Sequence, residues 1–447
     1  MARGKLQARP ADPVRGLRQV PGPRGKALLE EWRQYEAQTM TPQAPVVWDR
    51  ARGMVVTDVD GNRYYDWTSG VLVTNVGHGH PRHVQAIQEA VATLMSSYDF
   101  ATPARIALAR QMVEITPPHL DRAFFLTTGS EAVEAALRVA KRYTGNWEIV
   151  SFYGGFHGRT WGAASVAGLA GPKKHFGPPV PGTIQAPFPY CYRCPLKLRP
   201  ETCGTACLEL MDSQVNASST GRLAATIIEP YQGAAGFIFP PDGYLKALEQ
   251  WTRERGMIFI LDEVQSSFGR TGKMFALEWE DLTPQLLCLG KGIGSGIPTS
   301  ALMAESAVIA TVGPGEMSST CGGNPVSSAA ALAVLEIIRD EGLVENARRI
   351  GSILKARLLQ VQEKCRHLGD VRGRGLVMGL EIVRDRKSKE PAADLTRRVI
   401  QRSAENGLLI GAVGIFGNVI RVAPPLVISE NEAHESMDIM ESVLVSL

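Results

Sequence analysis

The sequence predicts an α/β protein: a large domain built on a mainly parallel sheet, followed by a smaller α+β domain. Three observations lead there. Between about residues 123 and 304, short apolar runs alternate with helical patterns, as strand–helix–strand crossovers require. The strand candidates are nearly continuous in apolar residues, as strands buried on both faces should be. After about residue 328 the pattern changes to long amphipathic helices with short strands between them.

The strand candidates are residues 123–127, 148–152, 225–229, 257–261 and 286–289, each bounded by Gly or polar clusters. Between them, residues 131–143 place Val133, Ala136, Leu137 and Ala140 on one helical face. A second helix, 244–255, is closed by Gly256. The later helices are expected at 328–339, 343–364, 392–406 and 430–445, with strands near 375–383 and 419–422.

The 447 residues allow two or three domains at roughly 150 residues each. Such a chain buries enough surface to need no disulfide or metal staple. Lys+Arg (48) nearly balances Asp+Glu (45), which argues against a dedicated nucleic-acid binder. No apolar run approaches the length of a membrane span. Residues 1–25 are rich in Arg and Pro but lack the apolar core of a signal peptide, so they read as a flexible basic arm or one lying on a partner subunit. Seven cysteines without an export signal favour a reducing, cytoplasmic setting. Glycine is in excess, 45 of 447, against an average near 7%.

Much of that glycine sits in chemistry-bearing segments. Thr127-Thr128-Gly129-Ser130-Glu131 joins a strand to a helix, where free N–H groups and the helix dipole can hold an anion. The same residues also fit an ordinary helix cap. Asp262 and Glu263 stand where an apolar strand ends, and a desolvated carboxylate there needs a cationic or protonated partner. Read alone, they also fit a solvated loop pair. Lys291 lies among Gly290, Gly292, Gly294 and Gly296, just after another apolar run. A desolvated lysine has a lowered pKa and becomes an amine nucleophile.

An anion cradle, a strand-end acid and a Gly-flanked lysine are the parts of a pyridoxal-phosphate site. In order and spacing they resemble the class III pyridoxal-phosphate-dependent aminotransferases, the ornithine and 4-aminobutyrate type of fold type I. The resemblance runs from about Pro21 to the C-terminus. It implies a seven-stranded sheet in the large domain. It also implies an N-terminal arm and segment (1–72) packing with the small domain and partner, a cofactor-binding domain (73–328, with an insertion at about 187–212) and a small domain (329–447).

The resemblance further implies a role for each matching residue. Lys291 would carry the cofactor as a Schiff base and shuttle the substrate proton. Asp262 would keep the pyridine nitrogen protonated, and Gln265 would lie near the phenolic oxygen. Gly129 and Ser130 would cradle the phosphate. In Gly155-Phe156-His157-Gly158-Arg159-Thr160, Phe156 would stack on the ring, with His157 beside it in the cofactor site. Thr320 would reach the phosphate of the neighbouring subunit, making the enzyme a homodimer with a shared site; a tetramer stays open. Arg159 would clamp a substrate carboxylate, while Glu229 and Arg421 match a gating pair in which the glutamate neutralises the arginine until an α-carboxylate arrives. Gly70-Val71 would line the site mouth from the other subunit.

The implied activity is transfer of an amino group from an ω-amino acid to 2-oxoglutarate by a ping-pong cycle, with neither nucleic acid nor membrane as a partner. Met317 and Cys321 depart from the family pattern, which often has His and an aromatic residue there. Cys191, Cys194, Cys203 and Cys207 form a C-x2-C-x8-C-x3-C set, a weak candidate for zinc or for a redox pair, with free thiols the simplest state. A similar insertion occurs in members that racemise amino acids, so a racemase on the same scaffold is the alternative. A non-catalytic cofactor-binding regulator is disfavoured by the intact Lys291 and Asp262.

Overall fold

The computed structural model describes Val14 and residues 19–447, and the basic arm expected at 1–25 lies for most of its length outside them. The central sheet has seven strands: β1 (Arg122–Leu126), β2 (Glu148–Phe152), β3 (Thr183–Ala186), β4 (Leu223–Ile228), β5 (Ile258–Asp262), β6 (Leu286–Leu289) and β7 (Ser300–Ala304). Their order is β1-β7-β6-β5-β4-β2-β3. All neighbours are parallel except β7, which runs antiparallel to β1 and to β6.

The five anticipated strands form to within two residues at either end. Two strands had no forecast, for different reasons. β3 is a four-residue edge strand in which the half-buried Thr183 and Gln185 alternate with Ile184 and Ala186, too brief to display a period. β7 returns antiparallel after a short connection without a crossover helix, so the βαβ rhythm skips it.

The helix Gly129–Thr144 begins with a reciprocal capping box between Thr128 and Glu131 and ends at Gly145, in the left-handed conformation. Val133, Ala136, Leu137 and Ala140 are buried as the period requires. A second helix spans Tyr244–Glu254, and Gly256 takes a positive φ two residues beyond it.

In the C-terminal third, the single strand expected at 375–383 is a hairpin, Leu368–Arg374 with Val377–Ile382. Its first arm reads LGDVRGR, in which the charges mask the period. The hairpin continues antiparallel into Val419–Val422 and Gly411–Val413. Helices Leu343–Lys364, Ala393–Glu405 and Glu430–Val445 accompany this sheet. Near the start of the chain, Trp48–Arg52, Val55–Asp58 and Arg63–Asp66 form an antiparallel meander that takes Leu408–Leu409 as a parallel fourth strand.

The cysteine-bearing segment docks on the C-terminal sheet. Glu381, fully buried, accepts hydrogen bonds from Tyr190 Oη, Arg193 Nε and Arg372 Nη1, the last at 2.7 Å. Two guanidiniums hold this carboxyl below its ordinary range against the cost of burial. Arg193 also packs over the rings of Tyr192 and Phe416. All seven cysteines are unpaired, and no group of three or more His, Cys, Asp or Glu among the described residues is placed to hold a metal. The four thiols of the segment are half-buried, and burial pushes Cys207 up to about 11. No helix among the described residues is long and apolar enough to cross a membrane.

Candidate active site

A cavity of about 790 Å³ opens where the parallel strands end, the usual ligand position in an open α/β sheet. Asp262 is the last residue of β5, Glu229 follows β4, and Lys291 stands two residues beyond β6. All three line the cavity, as do Gly129 and Ser130 from the start of the capped helix.

Asp262 is fixed from two sides. Val264 N donates to Oδ1 at 3.1 Å, and His157 Nδ1 lies 2.8 Å from Oδ2. Burial pushes the His157 imidazole down, but the bond to Asp262 and the charges of Asp262 and Glu229 hold it above the usual range. His157 Nε2 and Gln265 Oε1 are buried and without a partner.

Lys291 has φ +45°, a left-handed conformation that an L-residue adopts at a cost. Burial lowers its amine below the usual lysine range, opposed by the charges of Asp262 and Glu229. The approach of the lysine loop to the helix start explains two glycines. A Cβ on Gly129 would sit 2.6 Å from Val264 Cγ1, and one on Gly290 would sit 3.1 Å from the same atom. Val264 fills the gap between both backbones.

The loop carrying Phe156 is tied to that helix start, since Arg159 N donates to Ser130 Oγ at 3.2 Å. Phe156 is half-buried, and the exposed Arg159 guanidinium lies 5.6 Å from its ring centroid.

Glu229 and Arg421 share the cavity, but the expected ion pair between them is absent. Glu229 Oε1 accepts from Phe156 N at 2.9 Å and Oε2 from Gly233 N at 3.1 Å. Burial pushes this carboxyl up to about 7, although the His157 charge and both N–H groups oppose it. Arg421 is also buried, its Nε has no partner, and burial lowers its guanidinium with only Asp66 opposing. Gly70 and Val71, both at positive φ, also line the cavity. Thr320 is exposed and lies outside the lining.

The motifs give no hint of one wall. Met40, Thr41, Gln43, Ala44, Val46 and Trp48 border the cavity from the N-terminal segment. Residues 36–47 carry neither helix nor strand, so no periodicity could have flagged them.

Residues 36–444 match the family described as aminotransferase class III. The chain belongs to the class III aminotransferases. The 4-aminobutyrate aminotransferase of Mycobacterium tuberculosis is 38% identical over 441 residues, covering 96% of this chain and 97% of its own. The alanine/serine racemase of Pyrococcus horikoshii is 34% identical over 434 residues, covering 95% and 91%. An aminotransferase structure from Bacillus anthracis superposes with a TM-score of 0.88 at 31% identity, over 95% of this chain and 99% of that one. Class III aminotransferases depend on pyridoxal phosphate and are typically dimeric. This class III aminotransferase therefore has the fold type I architecture expected of it.

Proposed function

We propose that this class III aminotransferase binds pyridoxal phosphate in the cavity at Lys291 and moves an amino group from an ω-amino acid, of the 4-aminobutyrate or diamino-acid type, to 2-oxoglutarate. The observation that carries the proposal is the convergence of Lys291, Asp262 and two arginines, Arg159 and Arg421, on one cavity.

The residues fit the cofactor. The N-terminus of Gly129–Thr144, with Ser130, suits a phosphate. The carboxylate of Asp262, oriented by His157, favours a proton on the ring nitrogen. Phe156 offers an aromatic face, and Gln265 is the polar neighbour for the phenolic oxygen. Pyridoxal phosphate, when bound, supplies an electron sink for negative charge at the substrate carbon. Lys291 Nζ would hold the cofactor and, when free, would take the proton from that carbon and deliver it to the aldehyde-derived carbon of the cofactor. Burial lowers its pKa toward the range where an amine does both.

Arg421, buried and short of partners, takes the α-carboxylate of glutamate and 2-oxoglutarate, while Arg159 takes the carboxylate at the other end. Thr320, exposed on its own subunit, serves the phosphate of a second copy in a homodimer. Unpaired cysteines agree with a cytoplasmic enzyme.

The test is formation of glutamate from 2-oxoglutarate over a panel of amino donors, with each half-reaction followed separately. A holoenzyme that makes no glutamate from any donor would overturn the proposal.

A second reading, a racemase, is favoured by one observation. Glu229 is committed to backbone N–H groups and leaves Arg421 uncovered, as a site handling α-carboxylates alone would have it. Inversion of single enantiomers without any 2-oxo acid would select it.

A further inference from the structure

Arg421 lies in the strand Val419–Val422, and Gly411 is its partner across the ladder. A Cβ on Gly411 would lie 2.4 Å from Arg421 Nη2 and 2.9 Å from Gln43 Oε1. The guanidinium and the amide oxygen therefore converge over the same bare α-carbon. Gln43 arrives there from the irregular N-terminal segment, and its Nε2 donates to Thr41 O at 3.1 Å. Its amide oxygen is left as an acceptor facing the cavity wall where Arg421 sits.

No carboxylate is available to Arg421 in its place. Glu229 is held by Phe156 N and Gly233 N. Asp66, the other negative charge that reaches Arg421, is committed to Thr68 N, Thr68 Oγ1 and His78 Nε2.

We propose that Gln43 is a specificity-determining residue of this site: a neutral amide oxygen that stands beside the Arg421 guanidinium, both turned to the same point over Gly411, where a carboxylate would otherwise compete with substrate. The inference rests on the reading of Arg421 as the α-carboxylate site. An amide oxygen beside a guanidinium cancels no charge, so Arg421 stays positive toward the cavity. A carboxylate on an amino acid or 2-oxo acid then displaces a dipole and not an ion. Gly411 is part of the device, because any side chain there would occupy the point at which the two groups meet. The site is thereby biased toward substrates bearing an α-carboxylate, and amines lacking one are accepted without an ion pair forming behind them.

The test uses holoenzyme and glutarate, a dicarboxylate with neither amino nor keto group, titrated calorimetrically, together with the KM for 2-oxoglutarate. Gln43→Glu places a competing carboxylate beside Arg421. It is expected to raise the glutarate Kd and the 2-oxoglutarate KM about tenfold at low salt, less at high salt, with kcat changed by a smaller factor than KM. Gln43→Ala removes the competitor without adding charge and is expected to leave glutarate binding as tight or tighter. A merely structural Gln43 would make both variants lose affinity and kcat alike. That result, or an unchanged glutarate Kd in Gln43→Glu, overturns the proposal. Arg421→Ala separates the two levels. If it keeps wild-type glutarate affinity, the carboxylate reading of Arg421 itself fails. If it abolishes binding while Gln43→Glu has no effect, the role of Gln43 alone fails.

Discussion

His157 Nδ1 lies 2.8 Å from Asp262 Oδ2, and both side chains are almost wholly buried. Asp262 thus has one side-chain partner, contributed by the loop that also carries Phe156. His157→Ala should leave the carboxylate without it, at about 1–3 kcal/mol, and weaken pyridoxal-phosphate binding roughly tenfold or more. Titration of apoprotein, followed by the visible band of the bound cofactor, measures this. Wild-type affinity in the variant would remove His157 from the site's support.

Truncating the two arginines should have different effects. Arg421→Ala is expected to raise the KM for 2-oxoglutarate roughly 30-fold, a loss of about 2 kcal/mol for a buried charge-assisted contact. Arg159 is exposed and loses less on truncation, so Arg159→Ala should raise that KM by a smaller factor. Steady-state kinetics in both substrates decides the order, and equal effects would contradict the buried-versus-exposed distinction.

Glu263 predicts a pH dependence of stability. Fully buried, it accepts from Ala276 N, Leu277 N and Ser266 Oγ, yet burial still pushes it up to about 7 from 4.5. The folded state therefore holds this proton more tightly than the unfolded chain. The contribution is fully present below pH 4.5 and is lost as pH rises through 7, by up to roughly 3 kcal/mol. Glu229 acts with the same sign. Urea denaturation of apoprotein at pH 5 and pH 8 should show lower stability at the higher pH. Glu263→Gln should flatten part of that difference; an undiminished difference would show that Glu263 does not titrate in this window.

Glu381 neutralises Arg193 and Arg372 in the seam between the cysteine-bearing segment and the C-terminal sheet. Glu381→Ala leaves the poorly solvated Arg193 guanidinium without a carboxylate and Arg372 with Asp370 alone, and should cost about 3–5 kcal/mol. A lowered thermal midpoint, with faster proteolysis within residues 187–205, is the expected result. Unchanged proteolysis there would mean that the segment is anchored by other contacts.

The chemistry-bearing residues were legible because each lies in a short local pattern. Asp262 ends an apolar run, Lys291 sits among glycines, and Gly129 opens a capped helix. The sheet was legible at five strands, and not at the short edge strand β3 or at β7, which is fully buried but returns without a crossover helix. The partners of Glu229 and Arg421 were not legible. Glu229 is held by backbone N–H groups of two loops, and Arg421 and Gln43 converge over Gly411, relationships that exist only after distant segments fold together. The docking of Arg193 on Glu381 escaped notice for the same reason.

The wall formed by residues 36–47 separates two kinds of inheritance within one pocket. The strand-end residues are bound to the sheet, so altering them disturbs the scaffold and the reaction together. The N-terminal wall belongs to no sheet or helix, and although Ala44 and Val46 pack against the core around Val56, Tyr64 and Leu409, new side chains there break no strand ladder. Changes of diet for such an enzyme can therefore be written at the beginning of the chain. Libraries confined to positions 40–46 would explore new amino donors while the catalytic lysine keeps its setting, and an expression tag that replaces this stretch would alter selectivity without touching a single motif.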